Sequence, residues 1–178
     1  MWDLQNPKPA KLIIGILAAN ENCLNLAIKA ISKSFGTIDL VSDVWPFTQT
    51  DYYKDETGPN ILRQFVSIEK LIELGKLAKI KHATNKLEKK LARKLKLPLS
   101  RPVNLDPGII EPSKLALATT KNYSHRIYIG HKMYAEVTLI YDKGDWRPFD
   151  YTYPDYRQQC YFDFFSKVRA RLVEQLRQ

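Results

Sequence analysis

Between Lys11 and Ala18 the chain reads Lys-Leu-Ile-Ile-Gly-Ile-Leu-Ala, almost wholly apolar and rich in β-branched side chains. A run of this length with no polar alternation predicts a central strand buried on both faces. Asn20 follows as an N-cap for a helix to about Ser34. Leu24, Ala27, Ile28 and Ile31 recur in it at helical spacing, and Gly36 closes it. Cys23 sits beside that stripe as a small core hydrophobe. Thr37 to Val44 predicts a second strand, halted by Trp45-Pro46. The polar stretch Asp51 to Asn60, broken at Gly58-Pro59, predicts a loop or hairpin end. Ile61 to Lys70 alternates well enough for a third strand, although a helical reading stays open.

From Glu73 to Lys96 the periodicity changes to that of a long amphipathic helix, with Leu77, Ile80, Thr84, Leu87, Leu91 and Leu95 forming one stripe. Pro98, Pro102, Pro107 and Pro112 then predict a rigid, extended connection with a tight turn at Asp106-Pro107-Gly108. Leu115 to Thr119 is a short strand. Arg126 to Ile129 and Tyr134 to Tyr141 flank Gly130 as an antiparallel hairpin, with a further turn at Gly144. Asp155 to Gln178 predicts a terminal helix whose inner face carries Tyr161, Phe164, Phe165, Val168, Leu172 and Leu176. Strand, helix, strand, strand, helix, strand is the split βαβ order of a ferredoxin-like sheet. The expectation is one α+β domain over residues 1–178, with that core extended by a β-hairpin and a C-terminal helix.

Charge sharpens this picture. The formal net charge is +9, and nine basic residues against Glu88 alone between Lys76 and Lys96 account for +8 of it. The chain is therefore a nearly neutral protein bearing one basic helix. Lysine outnumbers arginine there, with Arg93 the exception. That favours plain phosphate electrostatics over forked recognition of bases, and a solvated helix face weighs about equally. Ten of the 20 aromatic residues lie between Tyr141 and Phe165. With Arg147 and Arg157 interleaved they could stack bases, but packing of the terminal helix is the better account.

Standard catalytic signatures are missing: the seven glycines form neither a phosphate loop nor a dinucleotide turn. His82-Ala-Thr84 lacks the second copy that two-histidine phosphoesterases need, and Thr84 to Glu88 resembles a guanine-reading box without its phosphate loop. His82, His125 and His131 do not cluster with Cys23 or Cys160, which argues against a structural zinc, and no cofactor is assigned. No targeting segment precedes the first strand and no apolar run could span a bilayer, so the expected location is cytoplasmic.

The most informative polar set is Asn104, Asp106, Lys121, Ser124, His125, Arg126 and Glu136. Glu136 stands opposite Arg126 if the hairpin loop has an odd number of residues, which makes a cross-strand ion pair. With His125 and Asp106 nearby, the same residues could form an acid/base set beside an electrophilic arginine. Asp106, Glu136 and a histidine could also hold a divalent cation.

Together, Asn104-Leu-Asp-Pro-Gly108, Ala118-Thr-Thr-Lys121, His125-Arg-Ile-Tyr128, Tyr134-Ala-Glu-Val-Thr-Leu139 and Thr152-Tyr-Pro-Asp-Tyr156 resemble a bacterial and archaeal family of domains of unknown function. Asp51-Tyr-Tyr53, Leu62-Arg-x-Phe65 and Lys81-x-x-Thr-Asn-x-x-Glu88 match as well. Thr57 stands where the family has methionine before the glycine of Thr57-Gly58. The family's members are about this long and carry the Asn-Leu-Asp-Pro-Gly motif, and some bear a GTP-binding label. The resemblance implies that Arg63, Lys81, Asn85 and Glu88 belong to a shared polar design.

The expected function is binding of an anionic ligand, a nucleotide or RNA, through Arg63, Lys81, Asn85, Asn104, Lys121 and Arg126. One alternative is a metal- or acid/base-dependent enzyme on a phosphorylated or nucleotide substrate, with Asp106, His125 and Glu136 as candidates. The other is a protein-interaction module built on the terminal helix and its aromatics.

Overall fold

The computed structural model describes residues 2–48 and 54–177. The apolar run forms β1 (Lys11–Ala18), every residue of it buried. Asn20 caps α1 (Glu21–Phe35) by accepting from the Cys23 amide at 3.0 Å. The second strand, β2 (Ile38–Val41), stops earlier than the sequence suggested. Trp45-Pro46 does not merely halt it: the pair is the two-residue strand β3 (Trp45–Pro46), bonded to β4 (Leu62–Ile68) opposite Arg63 and Leu62. Within the stretch expected as a loop, Lys54–Thr57 is a single helical turn, α2, and Asp51-Tyr-Tyr53 lies outside the described residues.

The basic helix is α3 (Leu77–Leu95), entered through a 3-10 turn at Leu74–Lys76 and ended by Lys96 in the left-handed conformation. The proline-rich stretch after it corrects the expectation. Val103–Glu111 is a nine-residue strand, β5, paired with β1 from Val103 to Ile110, and Asp106-Pro107-Gly108 is extended rather than turned. β6 (Lys114–Thr119), β7 (Ile127–Tyr128), β8 (Tyr134–Asp142) and β9 (Asp145–Pro148) extend the sheet. The terminal helix, α4 (Gln159–Gln175), begins later than Asp155, because Pro154–Arg157 forms a separate 3-10 turn.

All pairings are antiparallel, in the order β2-β4-β1-β5-β6-β8-β7, with β3 on β4 and β9 on β8. The first four of these strands, with α1 and α3, form the split βαβ core of an α+β fold. Leu12, Ile14, Ile16 and Ala18 on one face of β1 pack with α1 and α3. Ile13 on the other joins Phe65, Trp146 and the aromatic face of α4. The sheet is thus covered on both sides, which explains the unbroken apolarity of β1. Tyr161, Phe164, Phe165, Val168 and Leu172 are buried as expected, each worth roughly 1.5–3 kcal/mol of transfer free energy. Most of the aromatic concentration is therefore core. Among the described residues no helix is long and apolar enough to cross a membrane.

Candidate functional site

The sheet splits along β5. Gly108 to Glu111 pair with Leu117 to Lys114 of β6, whereas Ala118 and Thr119 of β6 pair only with β8. Val103 to Pro107 hold on to β1 and leave their other edge without a strand. Two features of the sequence make that opening. At Gly108 a Cβ would lie 2.6 Å from Leu117 and 2.8 Å from the Ala116 carbonyl, so glycine permits the close crossing where the strands part. Leu105 and Pro107, two residues apart, direct their backbone groups to the same edge, and proline there has no N–H to leave stranded.

The exposed edge at Leu105 is satisfied by side chains of α3. Glu88 accepts from the Leu105 N–H at 2.7 Å, and the Lys81 ammonium donates to the Leu105 carbonyl at 2.9 Å. A buried backbone group left without such a partner costs about 1–3 kcal/mol. Lys81 and Glu88, seven residues apart on α3, both face inward and are buried. Burial pushes the Glu88 carboxyl above its ordinary range, with Arg101 and Lys81 pulling it back.

Asp106 is the hub of the floor. Asn104 donates to its Oδ2 at 2.6 Å, Lys81 Nζ lies 3.5 Å from Oδ1, and Arg63 Nη1 lies 3.9 Å from Oδ2. Arg63 is almost wholly buried and bonds Asp155 through Nη2 at 2.6 Å, while its Nε and Nη1 make no hydrogen bond. Its guanidinium sits 5.2 to 5.6 Å from the ring centres of Phe65, Phe47 and Tyr156. A Cβ on Gly15 would fall 3.0 Å from Arg63 Nη1 and 3.1 Å from the Tyr156 hydroxyl, so this space exists because residue 15 is glycine. Burial opposes the charge on Arg63, but Asp155, Tyr156 and Asp106 outweigh it and hold the proton more firmly. Burial pushes the Asp155 carboxyl and the Tyr156 hydroxyl upward, both against the pull of Arg63. The same cause raises Tyr161 to about 12.

On the other side, Arg126 Nε donates to Glu136 Oε2 at 2.7 Å, the cross-strand pair expected from the register. His125 Nε2 lies 3.1 Å from the same oxygen, and its ring stacks on Tyr151 with centres 4.2 Å apart. Arg101 grips Glu88 with Nε and Nη2 at 3.0 and 2.8 Å.

These groups enclose a cleft of about 780 Å³, lined by seven basic and five acidic side chains. Of the residues singled out from sequence, Arg63, Lys81, Asn85, Asn104, Asp106, Lys121, Arg126 and Glu136 line it. His125 does not: it backs Glu136 from behind. His82 is elsewhere, exposed and bonded to the His131 carbonyl at 2.7 Å. Sequence reasoning missed Arg101, in the irregular segment before β5, and gave no role to Asp155, in the 3-10 turn Pro154–Arg157. It weighed a solvated face and phosphate contact about equally for the basic helix; Lys89 and Arg93, with Lys81 and Asn85, mark one wall of the cleft at intervals of four residues. The cation-site expectation fails on geometry. Glu136 and His125 meet, Asp106 belongs to a different contact set, and no group of three metal-ligating side chains exists among the described residues.

The fold and site thus define an α+β protein with a charged cleft at a split in its sheet. Residues 8–172 match the family model described as a domain of unknown function, DUF4416, and the chain belongs to that family. Comparisons with curated proteins and with solved structures match nothing.

Proposed function

We propose that the protein binds an anionic ligand of the nucleotide class in the cleft between β5 and β6. One observation carries this reading: cations approach the same concave space from two elements, Lys81, Lys89 and Arg93 from α3, and Lys121 and Arg126 from the segment after β6. A volume of about 780 Å³ suits one small molecule better than a polymer track. Half-exposed Tyr153 at the margin supplies an aromatic surface for a base. The resemblance carried by the sequence motifs implies a GTP-binding label for some relatives, which makes GTP the first probe, although the chain has no phosphate loop.

Calorimetric titration of GTP and ATP at low salt tests the reading. Binding is expected to weaken as salt rises, and saturating ligand at 100 times Kd to add about 2.7 kcal/mol of stability. Neither heat nor thermal stabilisation with either nucleotide would overturn it. Short RNA binding more tightly than both would transfer the site to a polynucleotide. An acid/base enzyme is the second reading, supported by Asp106, whose side chain is 26% exposed at the floor. Chromatography of GTP incubated with the protein decides it: a product supports turnover, and unchanged GTP denies it.

A further inference from the structure

We infer that the cleft takes its ligand in one direction, the neutral hydrogen-bonding end inward against Asp106 and Asn85, the phosphate outward between Lys89 and Arg93. This rests on the nucleotide reading above and adds the polarity of the site.

The charges of the cleft are not equivalent. Each deep cation already has a carboxylate: Arg63 with Asp155 at 2.6 Å, Lys81 with Asp106 at 3.5 Å, Arg101 with Glu88 at 2.8 Å and Arg126 with Glu136 at 2.7 Å. A phosphate driven to the floor would have to displace Asp106 or sit against it, and like charges in a partly desolvated site repel strongly. The floor is therefore polar but close to neutral.

It also has capacity left for hydrogen bonds. A carboxylate offers about four acceptor positions. Asp106 takes one direct hydrogen bond, from Asn104, with Lys81 at ion-pair distance and part of its side chain open to the cleft. The side chain of Asn85, half-buried one turn beyond Lys81, makes no hydrogen bond among the described residues. Those two side chains suit the hydroxyls of a sugar or the N–H groups of a base.

At the mouth the balance reverses. Lys89 and Arg93 stand one turn apart on α3, exposed, with no acidic partner among the described residues. A phosphate there gains two cations without breaking a pair and keeps part of its hydration. The ligand class is a phosphate ester whose other end carries free donors, a nucleoside monophosphate entering base or ribose first.

Paired probes test this: adenosine with AMP, and guanosine with GMP, titrated calorimetrically at 50 mM salt. The proteins are wild type, the double variant Lys89→Ala with Arg93→Ala, and Asp106→Asn. The double variant is expected to lose about tenfold in affinity for the monophosphates and to hold the nucleosides within about twofold. Asp106→Asn is expected to weaken both members of a pair by the same factor. Exposed positions in one variant and isosteric exchange in the other let the melting temperature report on the fold. Equal losses for nucleoside and nucleotide in the double variant, or a loss confined to nucleotides in Asp106→Asn, would overturn the polarity while leaving nucleotide binding intact. No binding of any probe to the wild-type protein would overturn both.

Discussion

Among the described residues two lysines are buried, toward opposite ends of β1, and their surroundings differ in a way that locates the site. Lys11, with no exposed surface, is saturated: Asp39, the Glu69 carbonyl at 3.0 Å and Gln175 Oε1 at 2.8 Å take its protons. Those partners come from β2, from the residue after β4 and from α4, so the ammonium ties three elements together, and Lys11 does not line the cleft. Lys81 is nearly as buried but has one hydrogen bond, to a strand edge with no strand beside it, and a carboxylate at 3.5 Å that the cleft partly exposes. One lysine closes the structure; the other holds a gap open. Burial of a charged group is by itself no sign of function, and the difference lies in whether its neighbours have capacity left.

Substitution separates the two. Lys11→Met removes the cation from Asp39 and should cost about 3–5 kcal/mol in urea unfolding, with nucleotide affinity unchanged in whatever fraction stays folded. Lys81→Met leaves the Leu105 carbonyl without its donor beside an open cleft, so the expected cost is smaller, about 1–3 kcal/mol. It frees Asp106, however, and nucleotide affinity should fall by more than about tenfold. Equal affinity losses in the two variants would erase the distinction between them.

The smallest effect is one of pH. Burial holds Glu88 above the ordinary glutamate range, so through that window the folded chain binds the proton more tightly than the unfolded chain does. Native stability contributed by this group is therefore greatest at low pH and is lost as pH rises through the raised pKa. In Glu88→Gln that loss should be absent, so the melting temperatures of the two proteins, closest at about pH 4, should separate as pH rises, the wild type falling relative to the variant. Curves that stay parallel would mean that Glu88 ionises as freely as a surface carboxylate.

The elements with strong local periodicity were legible from sequence: β1, α1, α3 and the aromatic face of α4 each declare themselves within a dozen residues. β5 was not, because Pro102 and Pro107 signal a break wherever a strand has two partners. Pro107 is tolerated because its edge is open at that point, a fact held by Lys81 and Glu88 on α3 and by Gly108, none of which is a local signal. The Arg126–Glu136 pair could be read from strand alternation alone. Arg63 was visible only through the resemblance, and its partner Asp155 lies 92 residues away in a turn without periodicity. Lys89 and Arg93 had the right spacing, but a basic stripe on a helix looks the same whether it faces solvent or a cleft.

The central claim is that ligand binding belongs to the open end of β5 and not to the sealed end. Titration of GMP into isotopically labelled protein, followed by backbone amide chemical shifts, tests it most directly. The account predicts that perturbations gather on Lys81 to Arg93, Asn104 to Asp106 and Thr119 to Lys121, with the surroundings of Lys11 undisturbed. Shifts centred on Lys11, Asp39 and Gln175, or none at millimolar nucleotide, would contradict it.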